Sequence, residues 1–243
     1  MDSRKRQRTD VVPTKRRRAP RRVSAPPPRF RRNQDLFGFH GSTPFSKEMY
    51  TKMRWSESTT VTPATGNVDW HTISLNSLYD PNVTGTGTQP QFFNTLCGNS
   101  GGSQPYRRYR VLGAKVTVRF VNNGASFAAF EDLVMVPSTA AVAPTTLEEA
   151  KEMGNAVYGF LGGVNDTPVK YLSTKVSMKN ILGVKDMKDD YGTSGIYNGN
   201  PDRPVYLHIG AQPLDGTSST TVYLNVVVDY FVQFFDRNVP ADE

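Results

Sequence analysis

Every second residue from 222 to 234 is apolar, and this period of two constrains the fold more than any other feature of the chain. Every even position is apolar, namely Val222, Leu224, Val226, Val228, Tyr230, Val232 and Phe234. A period of two residues is that of a β-strand with one buried face. At about 3.3 Å per residue such a strand spans roughly 45 Å. The sequence therefore predicts a long strand lying on a hydrophobic core.

The odd-numbered face of the same strand is too apolar for a face that meets only water. Tyr223, Val227 and Phe231 lie on it beside polar residues. Contiguous exposed apolar side chains commonly mark an interaction surface. We therefore predict that Tyr223, Val227 and Phe231 contact another subunit or the basic arm described below.

Other segments also have strand character, and the turn signals between them favour an all-β fold. In residues 68–75 the apolar positions switch from even to odd, which predicts a β-bulge. Pro137 is expected to end the strand that precedes it. The remaining predicted strands are 50–61, 106–121, 130–136, 169–178 and 205–211.

Helical signals are few. Thr145 and Glu148 form a capping-box pattern that predicts one helix over residues 145–153, and Phe92, Phe93 and Leu96 fit a single helical turn. We therefore predict an eight-stranded antiparallel jelly-roll sandwich. An immunoglobulin-like sandwich is the alternative, although the Cys…Trp…Cys pattern of that fold is absent.

The first 32 residues carry the excess positive charge of the chain. They contain 13 basic and two acidic residues, a net of +11, whereas the other 211 residues contain 16 basic and 20 acidic residues, a net of −4. Such a segment is expected to be disordered in isolation. Because guanidinium groups pair with phosphate oxygens, it predicts a nucleic-acid-binding arm without sequence preference. Its basic residues are Arg4, Lys5, Arg6, Arg8, Lys15, Arg16, Arg17, Arg18, Arg21, Arg22, Arg29, Arg31 and Arg32.

The charge distribution divides the chain into three predicted parts: an arm over residues 1–32, a linker over 33–49 and a β domain over 50–243. Within the arm, ten residues separate the pair Arg4 and Lys5 from the cluster Arg16, Arg17 and Arg18. This is the spacing of a bipartite nuclear-import signal.

The body contains one further candidate for nucleic-acid binding. Tyr106, Arg107, Arg108, Tyr109 and Arg110 interleave aromatic and cationic side chains, a combination that binds single strands by stacking and charge. The alternative is a strand entrance that carries ordinary surface arginines.

Signals of catalysis are missing. His40, His71 and His208 do not have the spacing of metal ligands, and Cys97 is expected to be a buried hydrophobic residue without a disulfide. We predict a protein that is not an enzyme, with no cofactor, no metal site and no membrane span. Three carboxylates in one loop fit either a solvated loop or a cation site at a subunit contact: Asp186, Asp189 and Asp190.

Five short motifs of the body are informative together: Tyr109–Lys115, Val134–Ser138, Thr145–Ala150, Ile181–Val184 and Tyr230–Phe235. They resemble motifs of capsid proteins from small circular single-stranded DNA viruses that encode a rolling-circle replication initiator, the circovirus-like group. The resemblance implies a single jelly roll that assembles into the smallest icosahedral shell, of about 60 copies. It also implies a virion protein that packages single-stranded DNA through its arm, reaches the host nucleus through import receptors and binds a host attachment receptor.

Three other functions stay open at this point. The chain fits the coat protein of a small RNA virus, because such viruses place similar arms on similar bodies. It also fits a cellular nucleic-acid-binding β-sandwich, which is expected to be a monomer or small oligomer. An enzyme on a jelly-roll scaffold needs inward-facing histidines and carboxylates that the sequence does not group.

Overall fold

Alternating strands build two antiparallel sheets in the computed structural model, which describes residues 45–64, 66–83, 88–122, 130–163, 168–215 and 220–238. The arm and the predicted linker up to residue 44 lie outside these ranges. The strands of the described residues are β1 (Met49–Val61), β2 (Asp69–Ser74), β3 (Tyr106–Asn122), β4 (Glu131–Ser138), β5 (Val157–Leu161), β6 (Val169–Ser177), β7 (Ser194–Ile196), β8 (Tyr206–Pro213) and β9 (Val222–Arg237).

The strand order is that of a jelly roll. One sheet has the order β1-β9-β3-β6, with β7 added beside β3, and the other has the order β2-β8-β4-β5. The pairs β1/β9, β2/β8, β3/β6 and β4/β5 alternate between the two sheets, as in one long hairpin folded over itself. Two four-stranded sheets wound in this way are the jelly roll. The predicted fold is therefore confirmed, and the short β7 is an addition to its eight strands.

Residues 222–234 form most of β9, which lies between β1 and β3. All its even positions from Val222 to Phe234 are buried. They pack between the sheets against residues such as Trp55, Ile73 and Phe120. The predicted burial of this face is confirmed. A central strand is satisfied by backbone hydrogen bonds on both edges, so β9 links the N-terminal and middle parts of the chain.

The predicted bulge in residues 68–75 is wrong. β2 pairs with β8 in unbroken register from Asp69 to Ser74. The apolar face switches because both faces are covered: Ile73 faces the main core, while Trp70 packs on a second cluster formed by Val134, Val136, Leu147 and Ala150. The register shift of the described strands lies instead in β3, between Val111 and Gly113, opposite β9.

The helix predicted over residues 145–153 is present, with a different cap. Helix α2 spans Leu147–Glu152, and the Thr146 hydroxyl accepts a hydrogen bond from the Glu149 amide at 3.1 Å. The N-cap is therefore Thr146 and not the predicted Thr145, and the Glu149 carboxylate accepts from the Thr145 amide at 2.9 Å. Leu147 and Ala150 of helix α2 cover the outer face of the β2-β8-β4-β5 sheet. The predicted helical turn is also confirmed, as α1 (Phe93–Leu96).

Pro137 does not end its strand, because β4 continues to Ser138. β5 pairs with β4 only as far as Met135, so β4 has a neighbour on one side beyond that point. Proline is tolerated at such an edge, where one row of backbone donors is unpaired.

The segment that carries Asp186, Asp189 and Asp190 is flanked by short regular elements. After α3 (Met178–Ile181), a 3₁₀ turn over Tyr191–Thr193 leads into β7, which pairs with Arg108–Arg110 of β3. The segment over residues 178–205 therefore covers the beginning of β3. No helix in the described ranges is long and apolar enough to cross a membrane.

Candidate nucleic-acid interface

The arginine-rich arm lies outside the described residues. Its phosphate-binding role and the import signal at Arg4, Lys5, Arg16, Arg17 and Arg18 therefore stay predictions. The body contains the other residues predicted to bind nucleic acid or a second subunit, and their positions follow.

The tyrosines of the Tyr106–Arg110 stretch are part of the core. Tyr106 is 1% exposed, and its hydroxyl donates to the Ser46 carbonyl at 3.0 Å. Tyr109 is fully buried with its ring perpendicular to that of Phe93, and burial raises its pKa to about 12. A base cannot stack on a ring that has no open face. In the subunit described here neither ring is available for such contact.

Arg110 is also buried, with 3% of its surface exposed. Its Nε donates to Thr193 Oγ1 at 3.0 Å, Nη1 donates to Gln233 Oε1 at 3.3 Å, and the guanidinium lies 4.6 Å from the centroid of the Phe235 ring. Burial lowers the pKa of Arg110, and the carboxylates of Asp186 and Asp190 oppose that shift. Arg110 therefore attaches the segment over residues 178–205 to the sheet.

Arg107 and Arg108 remain partly accessible. Arg108 Nη1 donates to Ser194 Oγ at 3.1 Å, and its guanidinium lies 5.1 Å from the centroid of the Tyr191 ring. Arg107 makes a longer contact, 3.4 Å from its Nε to Asn238 Oδ1. Within the predicted stretch, these two arginines are the side chains that an incoming phosphate can reach.

Sequence reasoning missed the partners that bury Arg110. Thr193 lies 83 residues away along the chain and Gln233 lies 123 residues away. The sequence offered one weak signal of a buried partner. Gln233 is a polar residue on the same face as Phe235, near the end of the predicted strand.

The residues predicted as a subunit contact lie on the outer face of the β1-β9-β3-β6 sheet. Tyr223 is 45% exposed and Phe231 is 48% exposed, with Val227 half-buried between them. Their outward orientation agrees with the parity of β9. A contact with a second subunit stays a prediction.

Asp190 of the acidic loop and His208 have structural partners. Asp190 Oδ1 accepts from the Gly192 amide, and its Oδ2 lies 2.5 Å from Arg203 Nη1. His208 is buried between Thr72 and the Ala140 carbonyl, and burial lowers its pKa. Across the ranges that the structure covers, no group of three or more histidines, cysteines or carboxylates is placed to hold a metal ion. Cys97 is 1% exposed, and burial raises its pKa to about 12.

Comparison with known proteins finds similarity at the level of structure. No protein-family model matches the chain, and no curated protein matches it. The chain is similar to a solved structure of Desmodium yellow mottle tymovirus, with 13% identity, full coverage of both chains and a TM-score of 0.39. It is similar to a chain in the solved structure of mud crab tombus-like virus, with 14% identity, coverage of 84% of this chain and 89% of the other, and a TM-score of 0.46. It is also similar to the T=3 Penaeus vannamei nodavirus, with 12% identity, coverage of 97% and 65%, and a TM-score of 0.45.

Proposed function

We propose that this protein is a viral coat subunit whose jelly-roll body assembles with copies of itself into a closed shell and whose arginine-rich arm binds the packaged genome. One observation carries the proposal: a jelly roll whose first strand begins at Met49 comes after a segment of 32 residues with a net charge of +11, while the other 211 residues have a net charge of −4. The body supplies a rigid wall. The arm supplies the charge that an enclosed anionic polymer needs.

The genome class is proposed as single-stranded nucleic acid. The solved structures compared above come from small RNA viruses. They agree with the RNA-virus coat among the functions predicted from sequence, and the circovirus-like DNA genome has no counterpart among the three. Nuclear delivery through the import signal belongs to the DNA form of the proposal. A fluorescent fusion of residues 1–40 tests that signal, and a fusion that stays in the cytoplasm contradicts it.

Assembly and cargo are tested together on the purified full-length chain. We expect negative-stain microscopy to show closed particles of uniform size, with a 260/280 nm absorbance ratio that reports enclosed nucleic acid. Digestion of the extracted cargo with ribonuclease or deoxyribonuclease then identifies the genome class. A monomer or small oligomer on size-exclusion chromatography overturns the coat function and favours the cellular nucleic-acid-binding module.

The arm is tested by deletion of residues 1–32, with circular dichroism as the check that the β body remains folded. Full-length protein is expected to show log K falling with log salt at a slope between about −4 and −8 on single-stranded oligonucleotides, because about 0.7 counterion is released per phosphate. The truncated protein is expected to lose most of that slope and to form particles nearly empty of nucleic acid. Equal affinity and slope in both proteins contradict the arm as the main genome-binding element.

A further inference from the structure

The outer face of the β1-β9-β3-β6 sheet brings together side chains from four strands that are distant in sequence. Even-numbered residues of β1 and odd-numbered residues of β9, of β6 and of β3 beyond Gly113 point away from the core. The register places Arg54, Asp229, Lys115 and Lys175 in one row across the sheet. We call this surface, from Tyr223 to Phe231 and the residues paired with them, the outer sheet face.

Positive charge is concentrated on the outer sheet face. Among the described residues it carries five cations, Lys52, Arg54, Lys115, Arg119 and Lys175, and one carboxylate, Asp229. Its net charge is therefore +4. The remainder of residues 33–243 contains 11 basic and 19 acidic residues, a net of −8. The body as a whole is acidic, so the positive charge of this face is a local property.

The single carboxylate is already paired. Asp229 Oδ2 lies 2.8 Å from Lys52 Nζ, and its Oδ1 lies 2.7 Å from Arg54 Nε. Lys115, Arg119 and Lys175 are exposed and form no ion pair with any described residue. Lys115 and Lys175 also stand directly opposite each other on β3 and β6. Like charges in that position destabilise a sheet, and a bound anion removes the repulsion.

Exposed aromatic rings surround these cations. Tyr171 is 62% exposed and is paired directly with Arg119, while Tyr223 and Phe231 lie on the neighbouring strand. Aromatic rings stack on bases of any identity, and cations beside them take up the phosphates. A sheet face with both groups is the arrangement that binds single strands.

We propose that the outer sheet face binds single-stranded nucleic acid, with phosphates on Lys115, Arg119 and Lys175 and bases on Tyr171 and Tyr223. The inference rests on the proposed function, because it gives the genome a second contact besides the arm. The arginine-rich segment and this face belong to one chain, so contacts of both with one nucleic-acid molecule reinforce each other through multivalency. A subunit contact here instead has to provide a carboxylate for each of three unpaired cations that it buries.

The test uses the full-length chain and a matched charge control. The face variant is Lys115→Gln, Arg119→Gln, Lys175→Gln. The control variant is Lys47→Gln, Lys170→Gln, Lys185→Gln, three exposed lysines that also form no ion pair with a described residue. Lys170 lies on β6 with the opposite parity, where its side chain reaches toward Gly159 of the other sheet. Both variants lose three charges, so only position distinguishes them.

Binding of 20-nucleotide oligo-U and oligo-dT is measured by fluorescence anisotropy over a range of salt. The face variant is expected to lose about 2 from the magnitude of the salt slope, and roughly 10- to 50-fold in affinity at 0.15 M salt, because three phosphate contacts are removed. The control variant is expected to stay within about twofold of the original protein. Cross-linking to 4-thiouridine RNA is expected at Tyr171 or Tyr223.

Each outcome addresses one proposal. A face variant that binds like the control, with cross-links confined to residues 1–32, overturns the outer sheet face as a binding site and leaves the coat function intact. A face variant that binds normally but no longer assembles assigns the face to a subunit contact and also overturns the inference. If the original protein forms no shell while the face variant still loses affinity selectively, the face is supported and the coat function fails.

Discussion

Arg54 Nε lies 2.7 Å from Asp229 Oδ1, joining the edge strand β1 to the central strand β9 on the outside of the sheet. The hydrogen bond from Arg54 is the largest cause that lowers the pKa of Asp229 from 3.8 to about 2; Lys52 adds to it and burial opposes it. A carboxyl group with a lowered pKa in the folded state stabilises the protein above the pKa of the unfolded chain. We therefore expect stability to fall as the pH decreases from about 4 to about 2.

Asp229→Asn is expected to remove that acid-dependent component and to lower the free energy of unfolding at neutral pH by about 1–2 kcal/mol. Urea unfolding at several pH values measures both effects. Asp189→Asn, at an exposed loop position, is the control substitution. The same acid dependence in the Asp229→Asn variant and the original protein contradicts this assignment.

Arg110 is expected to stabilise the fold without contacting nucleic acid in the free subunit. Arg110→Ala removes the donors to Thr193 Oγ1 and Gln233 Oε1 in a buried site, so we expect a loss of about 2–3 kcal/mol. Arg107→Ala, three residues earlier in the same stretch, is expected to stay within about 0.5 kcal/mol. Chemical denaturation compares the two. Equal losses are inconsistent with the structural role of Arg110.

The cap of helix α2 distinguishes two adjacent threonines. Thr146→Ala removes the side-chain acceptor of the Glu149 amide, and we expect a loss of about 1 kcal/mol. Thr145 contributes its backbone amide, which donates to Glu149 Oε2 and is retained in Thr145→Ala. That variant is expected to stay within about 0.5 kcal/mol. A larger loss at position 145 restores the cap predicted from the sequence.

Gly210 provides the space in which Trp70 packs across β2 and β8. A Cβ atom at Gly210 lies 2.5 Å from Cζ3 of the Trp70 ring, so Gly210→Ala displaces that ring. We expect a loss of about 1–3 kcal/mol and a change in near-ultraviolet circular dichroism. Gly154→Ala is the matched control, because nothing lies within 4 Å of its added methyl group. Equal stabilities of the two variants refute the close packing of Trp70 on Gly210.

The facing lysines of β3 and β6 predict a stabilising substitution. Lys175→Gln removes the repulsion with Lys115, and we expect the free subunit to gain about 0.2–0.5 kcal/mol at low salt. High salt is expected to diminish the gain. Lys170→Gln, on the same strand with the opposite parity, is the control. Thermal unfolding measures both, and destabilisation by Lys175→Gln excludes repulsion at this pair.

Local patterns predicted the parts of the fold that depend on a short stretch of chain. The alternation in residues 222–234 was sufficient to predict a strand and its buried face, because strand geometry sends successive side chains to opposite sides whatever the neighbours are. The short helix was predicted to within two residues because a capping pattern is also local in sequence. Its exact cap was not, since adjacent threonines offer the same chemistry and packing of Leu147 decides between them.

The positions at which sequence reasoning failed are those where two distant segments meet. Residues 68–75 have the same apolar pattern whether a bulge turns the strand or a second cluster covers its outer face, and only the position of α2 decides between them. Likewise, Tyr106–Arg110 has the composition of a nucleic-acid-binding stretch, but the segment over residues 178–205 packs across it. Covering a charged side chain requires partners, and Thr193 and Gln233 are brought to Arg110 by the sheet order alone.

The sequence by itself determined that this chain forms a β-sandwich with a highly basic arm, because side-chain periodicity and charge density are properties of contiguous residues. The tertiary structure decided which charges share a surface. Lys115 and Arg119 were already on one side of a strand, but Lys52, Arg54 and Lys175 join them only through the pairing of β1, β9, β3 and β6. Strand pairing is set by burial of the opposite face in the core, so the outer face receives its charges as a consequence of packing that no single segment encodes.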